Sequence, residues 1–264
     1  MLREGRKKTE VKPERIKKLS WKAWVIIVIF ASLVSSFGTA KFVLSINSEQ
    51  PILVESGTFT ETASYIIFKV GNTIYAKNGT TGEVEFSGTN ASQVINSCLN
   101  TLTNGGKIIL LPARYELSAP IQILHSWIVI EGSAFQGSSN SGVELHLADN
   151  ALCNVIAVPK TAGVGHIEIR NLVIRGNKAN NPDQNVDGGQ CGIYLGAVTY
   201  FSIENILIEA CTRQGLYLAS CSYGQVKNVK VRSCGREGIV LDYCLSTTLV
   251  GCYAWDNGRS GLDI

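Results

Sequence analysis

The chain contains one methionine, six prolines and three histidines in 264 residues, and none of these types is placed where it carries chemistry. His125, His146 and His166 all precede the regular repeat described below, and each reads as a packed or surface residue. The eight cysteines include no C-x2-C pair, which removes a zinc framework. An excess of one charge sign is also missing from most of the chain. The net charge of +3 is concentrated in residues 1–22, where nine Lys/Arg face three Glu, so residues 23–264 are mildly acidic. That balance gives no indication of a nucleic-acid partner.

Long apolar runs are absent with one exception. Residues 23–40 carry no formal charge, and as a helix they would extend about 27 Å, close to the hydrocarbon thickness of a bilayer. Trp21 and Trp24 stand where interfacial aromatics belong, and the basic residues 1–22 would remain cytoplasmic. The expectation is a single-pass signal anchor with the bulk of the chain extracytoplasmic. Secretion after cleavage is the alternative, because Gly38-Thr39-Ala40 resembles a cleavage site. The sequons at Asn78 and Asn90 are compatible with either form of export.

Residues 41–86 read as a linker followed by a short β segment, with breaks at Gly71-Asn72 and Asn78-Gly79. Thr89 or Asn90 can cap a helix over residues 91–102, whose apolar Val94, Ile95, Cys98, Leu99 and Leu102 fall at helical spacing. From residue 166 onward the chain repeats. Gly192, Gly215, Gly238 and Gly261 each open a G-[IL]-x-[LI] phrase, 23 residues apart. IENILIEAC around Asn205 and VKNVKVRSC around Asn228 keep the same step, and IRNLVIRGN around Asn171 precedes them by 34, one repeat plus an 11-residue insertion. No helical period occurs within the unit, which argues against leucine-rich and other helical repeats. A unit this short cannot bury a core alone, so its columns must stack as coils of a parallel solenoid. The inward columns are Ile203/Val226/Leu249, Ile206/Val229/Cys252 and Ile208/Val231/Ala254.

The helix, the KIILLPARYEL and WIVIEG strands and the G-[IL]-x-[LI] coils together resemble the pectate-lyase-like right-handed parallel β-helix superfamily, which includes pectate lyases and polygalacturonase-like proteins. The resemblance covers residues 87–264. It implies an all-β solenoid with an N-terminal capping helix, and a protein that cuts, epimerises or holds polysaccharides. A polygalacturonase would be expected to show N-T-D-G, D-D, G-H-G and R-I-K. Here D-D and G-H-G are missing, and Asn257-Gly-Arg-Ser-Gly has Ser260 in place of the first aspartate. The catalytic residues are therefore not identified. Because Ile264 falls in the middle of a coil with no terminal cap, the expectation is either further C-terminal coils or a last coil that pairs with a partner.

Two groups of residues point to a ligand. Arg213, Arg236 and Arg259 recur before successive glycines, and Tyr194 and Tyr217 form the neighbouring outward column. With coils about 4.8 Å apart they would make an exposed stripe. Tyrosines stack on sugar rings and guanidinium groups pair bidentately with carboxylates, so an acidic polysaccharide would fit. In the insertion, Asp183, Asn185 and Asp187 followed by Gly188 match the first half of an EF-hand-type loop, although position 12 is Tyr194 and not glutamate. Calcium is the cofactor this pattern suggests, and pectate lyases in the superfamily use it. Glu204/Lys227 and Glu209/Arg232, alternating in sign, read as structural. Cys211/Cys234 and Cys221/Cys244 stack in register, as disulfides or as buried thiols. The expected function is a lyase or glycoside hydrolase of acidic glycans at the membrane exterior; the alternative is a non-catalytic glycan-binding or structural envelope protein.

Overall fold

The computed structural model describes residues 63–134 and 142–264, together with the backbone of two short strands before them. The basic tail and the apolar span 23–40 lie outside the described residues. Among those that are described, no helix is long and apolar enough to cross a membrane. The chain divides into two units, Met1–Glu61 and Thr62–Ile264. In the first, Lys41–Phe42 and Val54–Glu55 pair antiparallel.

The second unit starts with an antiparallel meander of Tyr65–Val70, Thr73–Asn78 and Val84–Gly88. Its first strand also pairs in parallel with Gly106–Leu110. The segment that the sequence pattern left beside a linker is thus an edge of the main sheet, because Tyr65 and Ile67 are buried in the common core. Helix α1, Ala91–Thr101, follows. Asn90 is its N-cap, accepting from the Gln93 amide at 3.2 Å. Its apolar face buries Val94, Ile95, Cys98 and Leu99.

Parallel coils then build two sheets. The shorter one stacks Ile121–Gln122, Ile156–Val158, Ile193–Gly196, Leu216–Ala219, Ile239–Asp242 and Leu262–Asp263. The longer one carries three successive 11-residue strands, Gly165–Arg175, Thr199–Glu209 and Ser222–Arg232. The expected inward columns hold: Ile203 pairs with Val226 and Val226 with Leu249, while Ile208 pairs with Val231 and Val231 with Ala254. Ile203, Val226, Ile208 and Val231 are fully buried. Each such side chain contributes about 1.5–3 kcal/mol by leaving water, which a single coil could not collect.

Each long strand turns a corner at its asparagine. Asn171, Asn205 and Asn228 are left-handed, with φ of 61°, 52° and 53°. Asparagine tolerates this region better than most residues. The side chains form a ladder, Asn205 Nδ2 donating to Asn171 Oδ1 and Asn228 Nδ2 to Asn205 Oδ1, both at 3.2 Å. In the last coil Gly251 takes the same turn at φ 63°, and a Cβ there would lie 2.7 Å from Asn228 Oδ1. The repeated asparagine is therefore a corner post.

A second left-handed column has irregular spacing in the sequence. Trp127, His166, Tyr200 and Tyr223 have φ between 56° and 64°. Their rings stack at centroid distances of 3.5, 4.9 and 5.4 Å. Their faces are largely covered by one another, so ring edges meet water. His166 is accordingly a stacked surface residue, as its position suggested.

All eight cysteines are free thiols. The thiols of Cys221, Cys244 and Cys252 donate to the carbonyls of Leu195, Leu218 and Val226 in the preceding coil, at 3.2, 3.4 and 3.5 Å. Of the two readings of the cysteine columns, free thiols is the one observed, buried at Cys211, Cys221 and Cys234 and half-buried at Cys244.

Candidate functional site on the short-sheet face

The short sheet presents its outward residues in register: Ala157, Tyr194, Tyr217 and Val240, with Asp263 last. Tyr194 and Tyr217 meet edge to face, with centroids 5.5 Å apart and planes at 76°. Tyr217 Oη donates to Asp242 Oδ2 at 3.2 Å. Asp242 stands where the preceding coils have Gly196 and Ala219. That departure from a small-residue column is the signal in the sequence that would have singled it out.

The expected exposed stripe needs correction. Cys191, Tyr217, Ala219 and Val240 form a small apolar cluster of their own, with Tyr194 packed on it. Tyr217 is buried and Tyr194 only partly exposed. The cause is the insertion, which folds back over this face. A Cβ on Gly188 would fall 2.8 Å from the Tyr194 ring, so the loop backbone lies directly against it. Burial, followed by the charge of Asp187, raises the Tyr194 and Tyr217 phenols above their ordinary range; Asp242 adds to the effect. Both phenols therefore keep their protons in neutral solution, and that of Tyr217 is the one donated to Asp242.

The arginines grade from buried to open along the same face. Their side chains are 4%, 20% and 57% exposed at Arg213, Arg236 and Arg259. Repulsion between stacked guanidinium groups is answered from within the chain. Asp183 Oδ1 accepts from Arg213 Nη1 at 3.3 Å, and Asp183 Oδ2 from Arg236 Nη2 at 3.2 Å. Asn185 Oδ1 accepts from the same two nitrogens, at 3.3 and 3.1 Å. Partial burial acts to raise the Asp183 carboxyl, but the Asn185 amide and the two arginines outweigh it and hold the group below its usual range. Arg259 pairs with Glu237 at 3.1 Å, and Gln214 Nε2 donates to the other Glu237 oxygen at 3.0 Å.

The structure thus brings Asp183, Asn185, Arg213 and Arg236 together, as partners of one another. Oxygens expected to converge on calcium are committed to guanidinium groups, and a dication beside two arginines is electrostatically disfavoured. Among the described residues no cluster of three His, Cys, Asp or Glu could hold a metal ion. As arranged, this donor set does not fit calcium. The loop's other carboxylate, Asp187, is exposed and lies toward the tyrosines.

Stacked parallel strands with a buried column at each face and left-handed corners define a parallel β-helix. Residues 121–264 match the family described as right handed beta helix region, more than half of the chain. The protein belongs to that family, and its likeness to pectate-lyase-like proteins holds at the level of the fold. No curated protein matches. Among solved structures, the Azotobacter vinelandii mannuronan C-5 epimerase AlgE4 A-module is similar at 15% identity and a TM-score of 0.56, over 66% of this chain and 49% of that one. The AlgE6 A-module from the same organism gives 16% and 0.53, over 66% and 54%. ORF18 of Geobacillus virus E2 gives 12% and 0.53, over 73% and 47%. The chain thus spans about half the length of each of these proteins.

Proposed function

We propose that this protein acts on or holds a polysaccharide along the short-sheet face, and that the polysaccharide carries uronate carboxylates. The observation that carries the reading is that Tyr194, Tyr217 and Asp242 stand together on the outward side of the short sheet, while Arg236 and Arg259 occupy the turns that lead into its next two strands. A hydrogen-bonded phenol and carboxylate can transfer or receive a proton, and guanidinium groups can neutralise a sugar carboxylate. The epimerase modules, named for chemistry on mannuronan, lend the same direction. Lyase or hydrolase chemistry on acidic glycans is the specific form proposed, at the outer side of a membrane anchored through residues 23–40. One observation favours the non-catalytic alternative: Arg213 and Tyr217 are buried, and a carboxylate of the chain already occupies the arginine pair.

The full-length protein, incubated with a panel of polyuronates and neutral glucans, tests this. New reducing ends or the ultraviolet absorbance of an unsaturated uronate would establish the enzyme. Binding of polyuronates without turnover would leave a binding module. Arg236→Ala combined with Arg259→Ala should weaken polyuronate binding by about tenfold to a hundredfold, the worth of one or two charged hydrogen bonds. Unchanged affinity would remove these two residues from the site.

Calcium belongs to this reading only if Asp183 and Asn185 release both arginines. With those contacts in place, we expect the melting temperature to be the same in calcium and in chelator. A rise with calcium, abolished by Asp187→Ala, would restore the ion to the site.

A further inference from the structure

The insertion raises a separate question, because its acidic tip occupies the place where a ligand's carboxylate would be recognised. We infer that Asp183 is a built-in competitor for the paired guanidinium groups of Arg213 and Arg236, and that an incoming carboxylate binds by displacing it. This inference rests on the proposed role of the short-sheet face in binding an acidic glycan.

Three observations support it. Arg213 and Arg236 belong to adjacent turns of the solenoid, one 23-residue step apart, and a column of like charges in register requires an anion. The anion present comes from outside the repeat, in the insertion that the later coils lack. Its contacts are long for a charge-assisted pair, at 3.3 and 3.2 Å against an ordinary range of about 2.7–2.9 Å.

The second observation is an unmet donor. Arg213 is 4% exposed, yet its Nε has no hydrogen-bond partner. Buried donors are rarely left without a partner, and a bidentate carboxylate uses Nε together with an Nη. Asp183 engages only Nη1 of this side chain. The internal anion therefore satisfies the pair incompletely.

The third concerns how the loop is held. Its base is fixed: Thr212 Oγ1 donates to the Asn181 carbonyl at 2.6 Å, and Asn181 itself accepts from the Leu152 amide at 2.8 Å. Gln190 closes the loop internally, accepting from the Gln184 amide and donating to the Pro182 carbonyl. These bonds do not involve the Asp183 side chain, which is 38% exposed and whose one tie within the loop is the Asn185 amide, donating to Oδ1 at 2.7 Å. The carboxylate can leave the arginines by side-chain rotation that gives up the Asn185 amide, while the base stays in place and the neutral Asn185 Oδ1 remains on the same two nitrogens.

The test uses full-length protein with polygalacturonate as the probe and fully methyl-esterified polygalacturonate as the uncharged control. Asp183→Asn keeps the size of the side chain and removes its charge. It should bind polygalacturonate about tenfold more tightly than the wild type, with no gain for the esterified polymer, because less of the site is self-occupied. Adding Arg236→Ala to this variant should abolish the gain. In the unmodified protein, polygalacturonate should increase amide hydrogen exchange at residues 183–188, a readout that does not depend on the variant folding. If the wild type binds but Asp183→Asn binds equally or less well, and exchange in the loop is unchanged, the competitor role is overturned while the glycan reading stands. If neither protein binds polygalacturonate, or both bind the ester equally, the acidic-glycan reading itself fails.

Discussion

Gly215→Val is expected to destabilise the protein by about 3 kcal/mol and to lower Tm by about 6–12 °C. The glycines of the G-[IL]-x-[LI] phrase look in sequence like turn residues, but the structure gives another reason for them. A Cβ on Gly215 would lie 2.2 Å from Val231 Cγ1 and 2.8 Å from the Gly238 carbonyl. Neither contact can yield cheaply, since Val231 is fully buried and the carbonyl belongs to the backbone of the next coil. Gly192 and Gly238 meet similar obstacles, the first against the Gly215 carbonyl and the second against the Gly261 carbonyl, each at 2.7 Å. Close approach of chain to chain sets the residue type. Thermal unfolding of Gly215→Val beside the exposed Gln225→Ala, which should stay within about 0.5 kcal/mol of wild type, would check this. Equal stability of the two variants would contradict the packing described.

Glu209→Ala carries the second large effect, a loss of about 3 kcal/mol. On sequence, Glu209/Arg232 and Glu204/Lys227 look equivalent, two charge pairs five residues apart along the same two strands. Burial separates them. Glu209 is 3% exposed and lies between Arg175, at 2.5 Å, and Arg232. Glu204 is half-buried opposite an exposed Lys227. Truncating Glu209 leaves Arg175 to Glu144 at 2.9 Å, and Arg232 over the Trp255 ring at 5.9 Å. Neither contact replaces a carboxylate shared by two guanidinium groups. Glu204→Ala should cost less than about 1 kcal/mol, the range of an exposed cross-strand pair. Denaturant titrations of both variants distinguish the cases, and comparable losses would show that burial is not what matters.

What was legible in the sequence is what repeats. The 23-residue step shows the coil and its inward columns and marks the repeated asparagines, though not that they are corners, because each coil solves the same packing problem with the same residues. The outward face is where inference failed, and Arg213 shows why. Its partners Asp183 and Asn185 come from the insertion, 30 and 28 residues earlier, where no period applies. Arg213 lies in the turn before Leu216–Ala219, and a turn residue is exposed only when nothing folds over it. The stack of Trp127, His166, Tyr200 and Tyr223 has no period to mark it, since residue identity changes along the column and only its last step equals 23. Asp242 could have been found, since a carboxylate in a column of glycine and alanine is a local break in the repeat.

The insertion also changes how the solenoid should come apart. In an array whose coils touch only their neighbours, each coil can fray independently from the end. The segment from Lys178 to Asn185 reaches further. Lys178 Nζ donates to the Ser233 carbonyl at 2.6 Å, and Asp183 holds Arg236 as well as Arg213. Both contacts skip one turn and grip the next. Three consecutive turns are thereby riveted into a single cooperative block within an otherwise stepwise stack.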